Sequence, residues 1–493
     1  MANPNGAAVF ATLLPASMLV VVAALVALLG WVRPGLRPSF HRWLGSIGLG
    51  GAAIAALLTF HALGSTEGVG LVAYAGAVVA DRFDAFAILL LCGAGLVATL
   101  TSGAAAERLG PRAPAFQALV LTATAAGVLV AVQFEMAMLV TGLGLLLVSL
   151  VGVVALEKTA EPPGEAALRA LVTAGVALAL LLYGLAIVYG ATGTTDLAAT
   201  RGQFVHGALL EGLGLALTLF GLAFLVGAPP LHHWLFQVAA ASSGAVAGSV
   251  ISLAVATGGI ALVRVMVSGF SATMRPWVML AAVLGAVACL YPALLSLVTG
   301  GVRRLIALGV CLQGGLLLTA LIGSGVARDY LSAGGVIALL FGLVVFVLAI
   351  QASFVAVARL DADGIGTDLA DIRGLGRRSP ATAALLVLGL AGLAGLPPLA
   401  GFLARILVAE SAVAVGYAWV AVAGIAASVL YAIPVLRWIA AALVEDNDLA
   451  VVPSKSPRLP SLVGAACGVF GIAAFVLAGP LLFAAHGAAA ALR

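Results

Sequence analysis

Arg405 is a cation inside an otherwise apolar run, and few other side chains of this chain could do chemistry in such surroundings. A cation deep in hydrocarbon costs about 2.5–3.5 kcal/mol on insertion scales, so it is kept where it has a partner or a wet cavity. Arginine holds its proton at any physiological pH and relays one poorly. A gating role in an ion path is open to Arg405, and an electrostatic or structural role is the simpler reading. Glu410 lies five residues on, about 140° round a helix, which makes it a poor direct partner. His232 and His233 follow Pro229 and Pro230. Histidine titrates near neutrality, so His232 could hold a proton. A hydrogen bond to backbone freed at a helix break is the plainer alternative. Trp234 suits a membrane–water interface. Glu135 and Glu211 fall near the outer ends of apolar spans, where solvation is simpler than a relay.

Other chemistry is missing from the pattern. There is no Walker loop, Rossmann glycine set, Cys-x-x-Cys pair or His-rich metal spacing. No catalytic residue, cofactor or metal is therefore expected in this chain. Cys92, Cys289, Cys311 and Cys467 all fall in apolar spans at wide spacing and read as packing thiols. The 61 glycines are spread through apolar runs, which suits close helix packing. The only lysines, Lys158 and Lys455, lie outside the spans, so no path built on intramembrane lysines can run here.

These side chains need elements to hold them, and composition dictates which. The chain is 63% hydrophobic and 9% charged, with mean hydropathy +1.22, far from the soluble range. Its solvent is the bilayer, where only helices or a closed barrel satisfy the backbone. Uninterrupted apolar runs of about twenty residues mean helices. Fourteen spans are expected, the seventh over 205–227, the eighth over 237–264 and the twelfth over 381–412. The start has no basic n-region and reads as a retained first helix. Residues 67–82 fit either a small extramembrane hairpin or a further span. With both termini outside, sixteen of the 23 lysines and arginines fall on the cytoplasmic side, as the positive-inside rule asks. Six fall outside, Arg264 among them, and Arg405 stays within a span. The mixed-sign stretches Arg359–Pro380 and Glu445–Pro460 suit plain solvation or contact with another protein.

Two Gly-x-Pro-Pro sequences, Gly227 to Pro230 and Gly395 to Pro398, interrupt apolar runs in the two halves. Proline removes a donor and clashes with the preceding turn, so each breaks a helix. The breaks fall in the seventh and twelfth spans, the fourth member of each of two five-span sets. Five is odd, so the second set is inverted relative to the first. Paired broken helices in inverted repeats point to a transporter fold with a site at mid-membrane. The expected organisation is 1–114 for spans one to three and 115–265 for the first repeat (four to eight). Residues 266–444 form the second repeat (nine to thirteen), and 445–493 a connection with span fourteen.

Four stretches carry a family resemblance: Leu182-Tyr183-Gly184 through Thr194; Leu222-Ala223-Phe224 with Pro230-Leu231-His232 and Trp234; Arg303 to Ala307; and Asp371 to Arg405. Across most of residues 80–440 the chain resembles the antiporter-like membrane subunits of respiratory complex I. The likeness is greatest to the subunit N family of NADH:quinone oxidoreductase, which is related to Mrp-type antiporter subunits. The resemblance implies a proton route through ionisable groups on helices five, seven, eight, eleven and twelve. Lysine suits such work because burial lowers its pKa and a nearby glutamate raises it. Carried over position by position, the seventh-helix lysine falls on Leu225. The fifth-helix glutamate falls on Gly144 or, with another gap, on Thr141. No lysine, glutamate or aspartate occurs between Leu235 and Val263 in the eighth span. The eleventh (Leu331 to Ala358) holds no ionisable side chain, and the twelfth-helix lysine falls on Arg405.

The expectation is an all-α integral membrane protein of the bacterial inner membrane, with other membrane-arm subunits and lipid as partners and no nucleic acid. It would serve a complex I-like assembly as a structural or coupling subunit with a degenerate channel. The alternative is an active cation/proton antiporter subunit conducting through Arg405, His232, Glu211 and water.

Overall fold

The computed structural model of the chain describes residues 6–63, 71–73, 76–157, 164–200, 209–270, 274–324, 332–444 and 458–492. Lys158, Arg201, Arg328, Lys455, Glu445, Asp446 and Asp448 lie outside the described residues, and part of the expected charge distribution with them.

The chain opens with α1 (Gly6–Val32) and α2 (Pro38–Leu63), followed by a short hairpin of β1 (Leu71–Ala73) and β2 (Val78–Ala80). Next come α3 (Arg82–Thr101), α4 (Gly103–Leu109), α5 (Ala113–Val132), α6 (Met136–Leu156), α7 (Glu165–Thr192) and α8 (Leu197–Thr200). The middle holds α9 (Leu209–Ala223), α10 (His233–Ala241), α11 (Gly244–Leu262), α12 (Met274–Ser296), α13 (Val302–Gly323) and α14 (Ser332–Asp363). The chain continues with α15 (Leu369–Ile372), α16 (Leu375–Arg378), α17 (Pro380–Ala394), α18 (Ala400–Ala414), α19 (Ala418–Leu443), α20 (Arg458–Val476) and α21 (Ala478–Ala490). A π-helical segment, Val263–Gly269, prolongs α11.

Among the described residues, twelve helical stretches are long and apolar enough to cross a membrane. The expected seventh and twelfth spans are not among them, because α9, α10, α17 and α18 are each too short. The expected eighth span is also corrected at its start. Residues 233–241 form the separate helix α10, and α11 begins only at Gly244. Local capping makes that junction: Ser243 donates its amide to Glu157 at 2.7 Å, and Gly244 donates to Asp361 at 2.8 Å. Two carboxylates thus satisfy donors orphaned at a helix start. The hairpin outcome holds for the segment before α3, with Leu71 opposite Ala80 and Ala73 opposite Val78.

The stretch Arg359–Pro380 is not plainly solvated. Arg359 and Arg378 are buried. Arg359 donates to Thr382 at 2.8 Å and to Ser461, while Asp361 pairs with Arg303.

Helices α11 and α13 form the centre, buried along almost their whole apolar length, whereas α1, α2 and α7 are mostly unburied. Such an apolar periphery does not suit water and suits lipid or neighbouring protein. Close approach in the centre uses positions without a side chain. A Cβ on Gly314 of α13 would overlap the Val226 carbonyl. One on Gly244 would come within 2.6 Å of the Phe354 carbonyl oxygen of α14. By contrast, a Cβ on Gly144 would meet nothing within 4 Å.

Gly314→Ala is therefore expected to lower stability by ~1–3 kcal/mol, because backbone has to shift. Gly144→Ala should be neutral or slightly stabilising. Thermal unfolding of both variants in detergent checks the contrast, and equal Tm values would refute the packing described for α13.

Candidate functional site

The candidate site is the pair of backbone breaks and the helix between them. At the first break α9 ends at Ala223, and Gly227 turns the chain with φ +76° ahead of Pro229 and Pro230. Ending a helix leaves carbonyls without their usual donors. The Phe224 carbonyl accepts from Trp234 Nε1 at 2.9 Å, with the two rings 5.4 Å apart. Trp234 is only 4% exposed, so it is an internal clasp and not the expected interface anchor.

His232 does not play that part. It is buried among His233, Phe236 and Tyr291, with ring centroids at 4.5, 5.5 and 5.1 Å. Its ring lies near the Pro230 carbonyl, yet neither nitrogen makes a hydrogen bond of good geometry among the described residues.

Leu225 sits within this break and packs against Gly258 of α11, where a Cβ would come within 2.6 Å of the leucine Cβ. It borders a void of about 20 Å³ with Leu147, Val151, Ala170 and Val250. Trp234 also lines it, but its indole N–H is already given to the Phe224 carbonyl, and the other lining side chains are apolar.

At the second break α17 ends at Ala394, Gly395 adopts φ +67°, and α18 starts at Ala400 beyond Pro397 and Pro398. Arg405 reaches back into this gap. Its Nη2 donates to the Leu393 carbonyl at 2.5 Å, Nη1 to the Gly401 carbonyl at 3.0 Å and Nε to Ser428 Oγ at 2.8 Å. A side chain at Gly395 would overlap the guanidinium. No ion pair is formed by Arg405 among the described residues, and Glu410 is exposed. The cation is held by backbone carbonyls and a hydroxyl at the negative end of α17.

Helix α13 touches both breaks with consecutive residues. Gly314 abuts the Val226 carbonyl, and Gln313 Nε2 donates to the Leu393 carbonyl at 2.6 Å. Gln313 was not singled out in the sequence; a lone amide in an apolar run gives no signal of its partner.

The remaining expected residues lie apart. Thr141 is exposed and donates to the Ala137 carbonyl at 2.8 Å, while Gly144 looks onto open space. Glu135 caps α6 by accepting from the Met138 amide at 3.0 Å. Glu211, expected in solvent, is only 8% exposed in the first turn of α9. Arg405 shares no bond with His232 or Glu211.

The most charged buried cluster was missed. Arg264, expected among the outer-side cations, is 0% exposed within the π-helical segment. Its Nη1 pairs with Asp81 Oδ2 at 3.0 Å, Nη2 pairs with Asp84, and Nε donates to the Ala131 carbonyl at 2.8 Å. Phe83 and Phe134 stand at 4.6 and 4.8 Å from the guanidinium carbon, within cation–π range. Asp81 and Asp84 also form a capping box on α3. That local pattern, acid-x-x-acid before an apolar run, is the one signal the sequence offered.

Residues 134–431 match the family model described as NADH:quinone oxidoreductase/Mrp antiporter, TM. That is more than half of the 493 residues, and the chain belongs to this family. NADH-quinone oxidoreductase subunit N of Moorella thermoacetica is 29% identical over 385 residues, 77% of this chain and 78% of the relative. NADH-quinone oxidoreductase subunit N 1 of Solidesulfovibrio magneticus is 32% identical over 347 residues, 70% and 73% of the two chains. A chain in respiratory complex I from Thermus thermophilus with bound aureothin superposes with TM-score 0.77 at 26% identity. The superposition covers 95% of this chain and 98% of that one. The protein is a multi-pass membrane protein of the antiporter-like type.

The guanidinium groups of Arg264 and Arg405 should respond differently to removal. Arg264→Leu leaves two buried carboxylates uncompensated, a loss of ~3–5 kcal/mol. Arg405→Met leaves the Leu393 carbonyl its bond to Gln313, so ~1–3 kcal/mol is expected. Denaturant unfolding of both in one detergent orders them; a larger loss for Arg405→Met would contradict the described bonding.

Proposed function

We propose that this chain is a membrane-arm antiporter-like subunit of a complex I-like assembly, associated with proton translocation coupled to electron transport. In this reading its own channel is degenerate, and it acts as a structural and coupling element between ion-translocating neighbours. Redox chemistry belongs to other subunits, and no cofactor is assigned to this chain. Its partners are the other membrane-arm subunits and the lipid of a bacterial inner membrane. Family membership and the likeness to a complex I chain support the assembly.

The apolar setting of Leu225 carries the degenerate-channel part. A protonatable relay needs groups whose charge can be switched by burial and neighbours, and leucine offers none. At the other break the cation is an arginine, which stays charged through any physiological cycle. Apart from Trp234, whose N–H is committed to the Phe224 carbonyl, the side chains around the Leu225 void are apolar.

The proposal includes the finer architecture. Fourteen spans are counted by treating α9 with α10, and α17 with α18, as the halves of broken seventh and twelfth helices. Two inverted five-helix repeats fill 115–265 and 266–444, and both termini lie on the outer side. The matched Gly-Pro-Pro breaks and the excess of basic residues on one side support this. A second reading, conduction through Arg405, His232, Glu211 and water, draws on the burial of Glu211 and the unbonded ring nitrogens of His232.

Reconstituting the whole complex in liposomes separates the two. The proton-to-electron ratio is expected to be unchanged by His232→Asn and by Arg405→Gln in assembled complex, and the isolated chain should pass no protons. Loss of pumping in either variant, with assembly and electron transfer intact, would decide for the conducting reading.

A further inference from the structure

Two helix ends meet at the α10–α11 junction, and opposite charges meet their opposite dipoles there. Helix α10 stops at Ala241, and its last carbonyls have no following turn to bond them. Arg303, in the first turn of α13, donates through Nη1 to the Ala239 carbonyl at 3.1 Å and the Ser242 carbonyl at 2.6 Å. Helix α11 begins at Gly244. Glu157, at the end of α6, takes the Ser243 amide, and Asp361, at the end of α14, takes the Gly244 amide. A cation at a helix C-terminus and anions at an N-terminus are both stabilising. Arg303 Nη2 pairs with Asp361 and so ties the two ends together.

The two helices depend on this tie to different degrees. Helix α11 is fastened to α14 elsewhere as well, where Gln351 donates to Ser252 Oγ at 2.6 Å. Helix α10 has nine residues, too few to keep their shape or place without outside contacts. Its far end carries Trp234, whose indole N–H holds the Phe224 carbonyl inside the first break. Arg303 therefore grips one end of a rod about 13 Å long, and the other end grips the break. The grip comes from far along the chain: Arg303 lies 61 residues beyond Ser242, and Asp361 lies 117 beyond Gly244.

Water reaches the tie. Arg303 and Asp361 border a cavity of about 400 Å³, and their side chains are 18% and 13% exposed. Charges released into such a cavity are hydrated, so parting them avoids the cost of stranding bare ions in the interior. The Arg264 cluster, with its guanidinium fully buried, has no such outlet.

We propose that the Arg303–Asp361 pair is a latch that sets the position of α10 and, through Trp234, the shape of the first break. Closed, it binds the end of α10 to α13 and α14. Open, it leaves that end of α10 held by packing alone, while Glu157 still caps α11. The latch requires no conducting path, so it stands or falls separately from the function proposed above.

Hydrogen–deuterium exchange of the full chain in nanodiscs, read by mass spectrometry, tests it. Arg303→Gln is expected to raise exchange across residues 234–242 about tenfold, the scale of a charge-assisted hydrogen bond. The amides of Leu225, Gly227 and Ala228, which are bonded within the break, should rise with them, and those of α11 should not. Asp361→Asn keeps the side-chain shape and should give the same pattern at smaller amplitude. It decides the matter if Arg303→Gln loosens the whole chain. Arg304→Gln removes an equal charge from the exposed neighbouring position and should change exchange less than about twofold. A rise confined to 239–244, with the break unchanged, would make Arg303 a local helix cap and overturn the latch. Equal effects of Arg303→Gln and Arg304→Gln, no effect of either, or general loosening in Asp361→Asn as well would also overturn it.

Discussion

A helix that stops at a Gly-x-Pro-Pro turn leaves carbonyls without their usual donors, and the packing around both turns of this chain supplies others. At the first break an indole N–H covers the Phe224 carbonyl. At the second, a guanidinium and a carboxamide share the Leu393 carbonyl. The Val226 carbonyl lies against Gly314. Helix α13 supplies Gln313 and Gly314 to these contacts in immediate succession, so it has to sit between the breaks. That placement accounts for its complete burial and for glycine at the tightest point.

Two of the buried guanidinium groups in this fold, those of Arg264 and Arg405, are accommodated by opposite means. Arg264 is neutralised by two aspartates at the start of α3 and flanked by two phenyl rings. The second carboxylate is tolerable because both acids also accept backbone amides in a capping box, at the positive end of the helix. Arg405 forms no ion pair among the described residues and is held by the Leu393 carbonyl at the end of α17, the Gly401 carbonyl in α18 and the Ser428 hydroxyl. The first arrangement joins α3 and α5 to the end of α11 and is a fastening. The second leaves an uncompensated positive charge beside a break, which disfavours approach by another cation.

What could be read from the sequence follows from how local each signal is. Apolar runs of bilayer length and the two Pro-Pro pairs are local, and so the helices and the places where they stop were legible. That the Leu225 position cannot titrate follows from the residue type alone. Partners were not legible. Arg264 and Asp81 stand 183 positions apart, and Gln313 and Leu393 80 apart, so nothing in either neighbourhood announces the other. Trp234 and Glu211 were placed by side-chain preference for interfaces, and tertiary burial overrode it. The split of the expected eighth span depended on carboxylates from residues 157 and 361, distant in sequence from Ser243.

The breaks and the titrating groups are separable features of such a scaffold. A break requires donors for its freed carbonyls, and any donor of suitable reach will serve, whether or not it can lose a proton. Tryptophan, glutamine and arginine fill that role here, and none of them exchanges protons at physiological pH. A lysine at the Leu225 position would need an acid or water to stay charged, and no carboxylate lines the void beside Leu225. Packing therefore holds both turns through hydrogen bonds to backbone carbonyls, with no titrating group required at either.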